Sequence, residues 1–126
     1  MASKIKETNV EERIPPARIT DEDNGNVYEL DFNRDSVRFA EARKFKVEEV
    51  VDYPSTNLPL LFYYAFRMHH SNVAKSRVDA IYERLGGLSP NFIERLILLY
   101  QQAQQSNNVV ESDEEMGKNG NLTVEL

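Results

Sequence analysis

Leu60-Leu-Phe-Tyr-Tyr-Ala-Phe-Arg-Met-His69 is apolar on nearly every helical face. A bilayer-spanning helix needs about 20 such residues, so this stretch is too short to cross a membrane. A helix that is greasy all round must instead be wrapped by other elements. The chain supplies candidates on both sides. Downstream, Val78, Ile81, Tyr82 and Leu85 recur at i, i+3, i+4 and i+7, the spacing of one helical face. Gly86-Gly87 then stops that helix, because glycine takes the left-handed conformation without a Cβ clash. Ser89-Pro90 restarts the chain with a cap and a proline at the first helical position. Ile93, Leu96, Ile97 and Tyr100 predict the stripe of that next helix, and Leu98 and Leu99 widen it beyond what one core face needs.

Upstream, residues 27–32 alternate. Tyr28, Leu30 and Phe32 share one face of a strand, and Val27, Glu29 and Asp31 the other. Residues 17–20 can pair with it across Asn24-Gly25, a turn pair that accepts positive φ. A lone hairpin is marginal in water, so its apolar face must lie on helices or on another subunit. Asn33 or Asp35 can cap a helix running to about Phe45, and residues 47–51 can add a short turn. Ser55 or Thr56 is the expected cap of the central helix, which places Pro59 in its first turn, where proline is tolerated. The expectation is a mainly α fold: about four helices over residues 17–105, with an N-terminal β-hairpin. Residues 1–16, ending in Pro15-Pro16, read as a flexible arm. From near Gln101 the chain is polar with no apolar period, and residues 106–126 read as a disordered acidic tail.

The chain has 126 residues and a net charge of −6. Residues 101–126 hold five acids and one base, so the tail carries most of that charge. Such a balance argues against non-specific binding to DNA, RNA or anionic membrane, and favours protein partners. There is no cysteine, hence no disulfide and no thiolate metal site.

No chemical constellation is legible. His69 and His70 are adjacent, so on a helix they point about 100° apart, and no third His or Cys completes a zinc set. A helix C-terminus favouring partial positive charge accounts for them. Asp21-Glu22-Asp23-Asn24-Gly25 has acids in adjacent rather than alternate positions, which suits a solvated turn and not a calcium loop. Tyr63, Tyr64 and Phe66 lack the basic groove of a base-stacking platform and read as core. The helix from Pro90 offers Arg95 and Glu94 and then only apolar or neutral residues, too little to read DNA. No nucleophile pairs with a base. The expectation is therefore no catalytic residue, no metal, no cofactor and no enzyme activity. Leu98, Leu99 and Tyr100 are the candidate protein-binding residues: the apolar excess there serves either core or docking.

The order of features resembles a known family. It runs from the hairpin through Asn33-Arg-Asp-Ser-Val-Arg-Phe-Ala-Glu41, Leu61-Phe-Tyr-Tyr-Ala-Phe-Arg-Met-His-His70, Leu85-Gly-Gly-Leu88 and Glu94-Arg-Leu-Ile-Leu-Leu-Tyr100. Over residues 17–105 it is similar to the tail assembly chaperones of long-tailed phages that infect Gram-positive bacteria. The resemblance implies a helical domain that coats the tape measure protein, keeps it soluble, recruits tail tube subunits and then leaves. It implies residence in the host cytoplasm and absence from the mature virion. The partners it implies are the tape measure protein, the tail tube protein, and the chain itself or its own longer form. In such phages the longer form comes from ribosomal frameshifting near the end of the gene, and Met116-Gly117-Lys118 can be encoded ATG GGA AAA, on which two tRNAs can slip back one base. Two other classes stay open: a structural adaptor retained in the virion, and a helical regulator that binds a host protein.

Overall fold

The computed structural model describes residues 13–109, and beyond them 112, 113, 115–117, 120–123 and 125. The chain adopts a mainly α fold, with a two-stranded antiparallel hairpin followed by four helices among the described residues. The strands are β1 (Ala17–Asp21) and β2 (Asn26–Leu30), with Ala17 opposite Leu30 and Asp21 opposite Asn26. Gly25 closes the turn at φ +77°, its N–H donating to the Asp21 carbonyl at 2.7 Å. Tyr28, Leu30 and Phe32 are all buried, as their alternation requires, while Val27 is exposed.

Helix α1 (Arg34–Ala42) starts at Asn33. Asn33 Oδ1 accepts from the Ser36 N–H, and Ser36 Oγ accepts from the Asn33 N–H, both at 2.8 Å. This is a reciprocal cap with serine in the place usually taken by Glu or Gln. The helix stops three residues short of the expected Phe45. Lys44 takes the left-handed conformation at φ +69°, and the Phe45 N–H folds back to the Ala40 carbonyl at 3.1 Å. A lysine there carries no glycine signal, yet burial of the Phe45 ring holds the turn. A 3₁₀ turn (Val47–Glu49) follows, and Val47 and Val50 enter the core.

Helix α2 (Pro54–His70) is the central element. Its cap position is Tyr53 rather than Ser55 or Thr56, so Pro54 opens the helix and Pro59 lies inside it, not in the first turn. Pro59 removes one hydrogen bond to the Ser55 carbonyl. Ser55 is exposed, so water can satisfy that carbonyl. Leu61, Phe62, Tyr64, Ala65 and Phe66 are buried, and α1, β2 and both later helices pack around them. Rings fill the space between elements. Tyr28 meets Phe66 at 5.4 Å, Phe62 meets Tyr82 at 5.4 Å, and Phe45 meets Tyr64 at 5.2 Å.

Helix α3 (Lys75–Leu85) buries Val78 and Ile81 and ends at Gly86, φ +73°. Leu85, expected on the same face, is exposed. Helix α4 (Pro90–Asn108) is capped by Ser89, whose Oγ accepts from the Phe92 N–H at 3.2 Å. It runs two turns past the expected end at Tyr100, and its core face is Leu96, Leu99, Tyr100 and Ala103. Ile93 and Ile97, expected at the centre of the stripe, are half-buried at its side. The tail expected to be disordered from residue 106 thus keeps helix through Asn108, and 110, 111, 114, 118, 119, 124 and 126 lie outside the described residues. Of the expected arm, 1–12 also lie outside them. Residues 13–16 run against α4: the Ile14 N–H donates to Gln102 Oε1 at 3.0 Å, and Arg95 Nη1 donates to the Pro15 carbonyl at 3.2 Å.

Candidate protein-docking face

The three residues singled out on α4 do not stay together. Leu99 and Tyr100 are core, at 0% and 1% exposure, and only Leu98, at 40%, reaches the surface. A step of one residue turns a helix by about 100°, so consecutive residues cannot all face a partner. Leu99 and Tyr100 therefore do not form part of a docking surface. Tyr100 packs edge-on against Phe32 at 5.0 Å and Phe45 at 5.5 Å. Its hydroxyl is buried and has no hydrogen-bond partner among the described residues. Burial, helped by the nearby Glu41 and Glu48 carboxylates, pushes its pKa well above the ordinary phenol value.

Around Leu98 lies a shallow groove of about 500 Å³, lined by Ile14, Leu98, Gln101, Gln102, Gln104 and Gln105. Ile14 and Leu98 are its apolar lining, and four glutamines surround them with uncharged amides. Ile14 and Gln102 also border a second groove of about 550 Å³, which reaches Phe32 and Met68. Ile14 thus borders both depressions. Sequence alone missed Ile14, because a single isoleucine before Pro15-Pro16 has no periodicity. Asp31 sits in the second groove with its carboxyl pKa raised by burial, although Oδ1 accepts from the Phe32 N–H at 2.8 Å.

The other polar features resolve into structural roles. Asp21 is buried, not solvated as expected of the turn acids. It takes two hydrogen bonds from Arg84, 2.8 and 3.1 Å long, and these hold its carboxyl below the ordinary carboxylate range. Phe39 lies between the guanidinium groups of Arg43 and Arg67, at 3.5 and 3.9 Å from the ring centre. His70 does not serve as a helix-end cation. Its Nε2 accepts from the Glu29 N–H at 2.9 Å, and burial, followed by the His69 charge, lowers its pKa. No helix among the described residues is long and apolar enough to cross a membrane.

A family model for a domain of unknown function, DUF5055, matches residues 2–126. The chain belongs to the DUF5055 family. No curated protein and no solved structure matches it. The matched residues include both Ile14 and Leu98.

Proposed function

We propose that this DUF5055 chain is a phage tail assembly chaperone: it binds the tape measure protein, keeps it soluble and recruits tail tube subunits. The resemblance over residues 17–105 suggests the job. The observation that carries it is the exposed Leu98 in a glutamine-lined groove, on a protein whose net charge is −6. A long helical client with apolar stripes needs a partner that covers them without becoming insoluble itself. Leu98 and Ile14 offer contacts for the apolar face of an amphipathic helix, the glutamine amides can bond its polar flank, and the charge keeps the complex in solution. In this proposal Leu98 and Ile14 touch the client, while Leu99 and Tyr100 hold α4 in place from beneath. A longer form, made by frameshifting near residues 116–118, would carry the domain that engages the tail tube.

The test is co-expression with a tape measure protein, which the proposal expects to be encoded beside this gene. Wild type should bring it into the soluble fraction and co-purify with it. Leu98→Glu should weaken binding at least tenfold, the loss typical of a central interface residue, with an unchanged far-UV spectrum. Full binding by folded L98E would remove the groove from the proposal. A tape measure protein that stays insoluble with wild type would remove the function itself.

A further inference from the structure

The hairpin is held to α2 by its outer edge, and one of the holding groups can titrate. The Asp31 N–H donates to the Ala65 carbonyl at 3.1 Å, and the Glu29 N–H donates to His70 Nε2 at 2.9 Å. Both donors are backbone amides on the side of β2 away from β1, the position that an unpaired edge strand leaves open. His70 is the last residue of α2 and half-buried. The Tyr28 ring stands edge-on to it at 5.4 Å, and Phe66 lies at 6.0 Å. To accept at Nε2, the imidazole must be neutral with its proton on Nδ1.

We propose that His70 is a pH-operated latch: neutral, it fastens the edge of β2 to the end of α2, and protonated, it lets that edge go. Imidazolium donates at both nitrogens, so two N–H groups would face each other across 2.9 Å and the Glu29 amide would lose its acceptor. The groups around the ring set the response. From β2 comes the Glu29 carboxylate, which favours the protonated ring, and Asp31 follows just beyond the strand. From β1, Arg18 holds Glu29 at 3.4 Å and draws off part of that attraction. From α2, His69 approaches Glu29 Oε2 at 3.4 Å and opposes a second positive charge. Arg67 borders a small cleft that it shares with His70, Phe39 and Phe66, and is paired at 3.1 Å with Asp35 of α1. Helix α3 adds no titratable side chain to the cleft among the described residues.

The His70 pKa lies below its ordinary value of 6.5 in the folded chain. The unfolded chain therefore binds the proton first as pH falls. The latch contributes its full stability above about 6.5 and loses it as pH drops through the lower folded value. Release would leave the Glu29 amide without this acceptor, while the Asp31–Ala65 bond still ties the hairpin to α2.

NMR of the full chain tests this. At neutral pH, long-range nitrogen–proton spectra should show His70 Nε2 bare and Nδ1 protonated. On acidification, the Glu29 amide should shift with the same midpoint as the His70 ring carbons, and the hairpin amides should lose roughly five- to tenfold in exchange protection, the equivalent of one hydrogen bond. His70→Gln keeps an acceptor without a titrating ring, so that transition should vanish. A proton on Nε2 at neutral pH would overturn the latch, as would a Glu29 amide silent through the His70 midpoint. So would a transition that survives in H70Q, since it would belong to the Glu29 or Asp31 carboxyl. If H70Q fails to fold, the wild-type tautomer and titration still decide.

Discussion

Tyr100 shows how one atom can work against the residue that carries it. The ring is 1% exposed and packs on Phe32 and Phe45, but the hydroxyl lies buried without a partner among the described residues. A buried unpaired hydroxyl costs about 1–3 kcal/mol. Phenylalanine keeps both ring contacts and removes the oxygen. Tyr100→Phe should therefore stabilise the fold by about 1 kcal/mol. Urea unfolding reads this directly: the midpoint should rise with the slope unchanged. A lower midpoint would mean that the hydroxyl finds an acceptor, with Glu41 and Glu48 the carboxylates whose charge acts on it. Arg84 and Asp21 give the contrasting case, a pair 63 residues apart in which both carboxylate oxygens are answered. Nothing in the sequence joins those two residues, because the contact exists only once the end of α3 has come to rest beside the hairpin turn.

At the scale of elements, boundaries set by a local hydrogen bond or a glycine were legible. Ser89-Pro90 and Asn33 announce α4 and α1, because a cap is a local hydrogen bond between residues three apart. Gly86 announces the end of α3 for the same local reason. The end of α1 was hidden, since Lys44 takes a positive φ only because Phe45 is pulled into the core. The last two turns of α4 were hidden too. Their glutamines show no apolar period, yet Ala103 is buried, Gln102 accepts from Ile14, and Gln104 donates to Glu41. Tertiary contacts outweigh pattern there. The glycine stop can be tested alone. A Cβ at Gly86 would meet no atom within 4 Å, so Gly86→Ala adds no clash. What remains is the left-handed backbone at φ +73°, which costs an L-residue about 1–2 kcal/mol, partly offset by the lower entropy of the unfolded chain. A net loss of about 1 kcal/mol in thermal or urea unfolding is expected. No loss would mean that the α3–α4 turn can reach a second conformation.

Across the whole molecule, Leu98 and Leu99 divide the labour between fold and surface. The sequence offered both, with Tyr100, as one apolar excess, because the phase of α4 about its axis depends on which side α1, α2 and the 3₁₀ turn approach. The settled phase buries Leu99 completely and leaves Leu98 in the open groove. The two alanine variants remove the same atoms from adjacent positions and should behave oppositely. Leu99→Ala opens a cavity at the contact of α4 with the centre of the domain, and should cost about 2–5 kcal/mol, a large share of the stability of so small a core. Leu98→Ala should stay within about 0.5 kcal/mol of wild type. If the groove is a docking site, the order reverses in a binding assay performed well below the melting point of both variants: L98A loses affinity, while L99A, still folded, keeps most of it. Equal stability losses would mean that Leu98 is covered in solution, and the surface it lies on would then be an internal contact of the assembled protein.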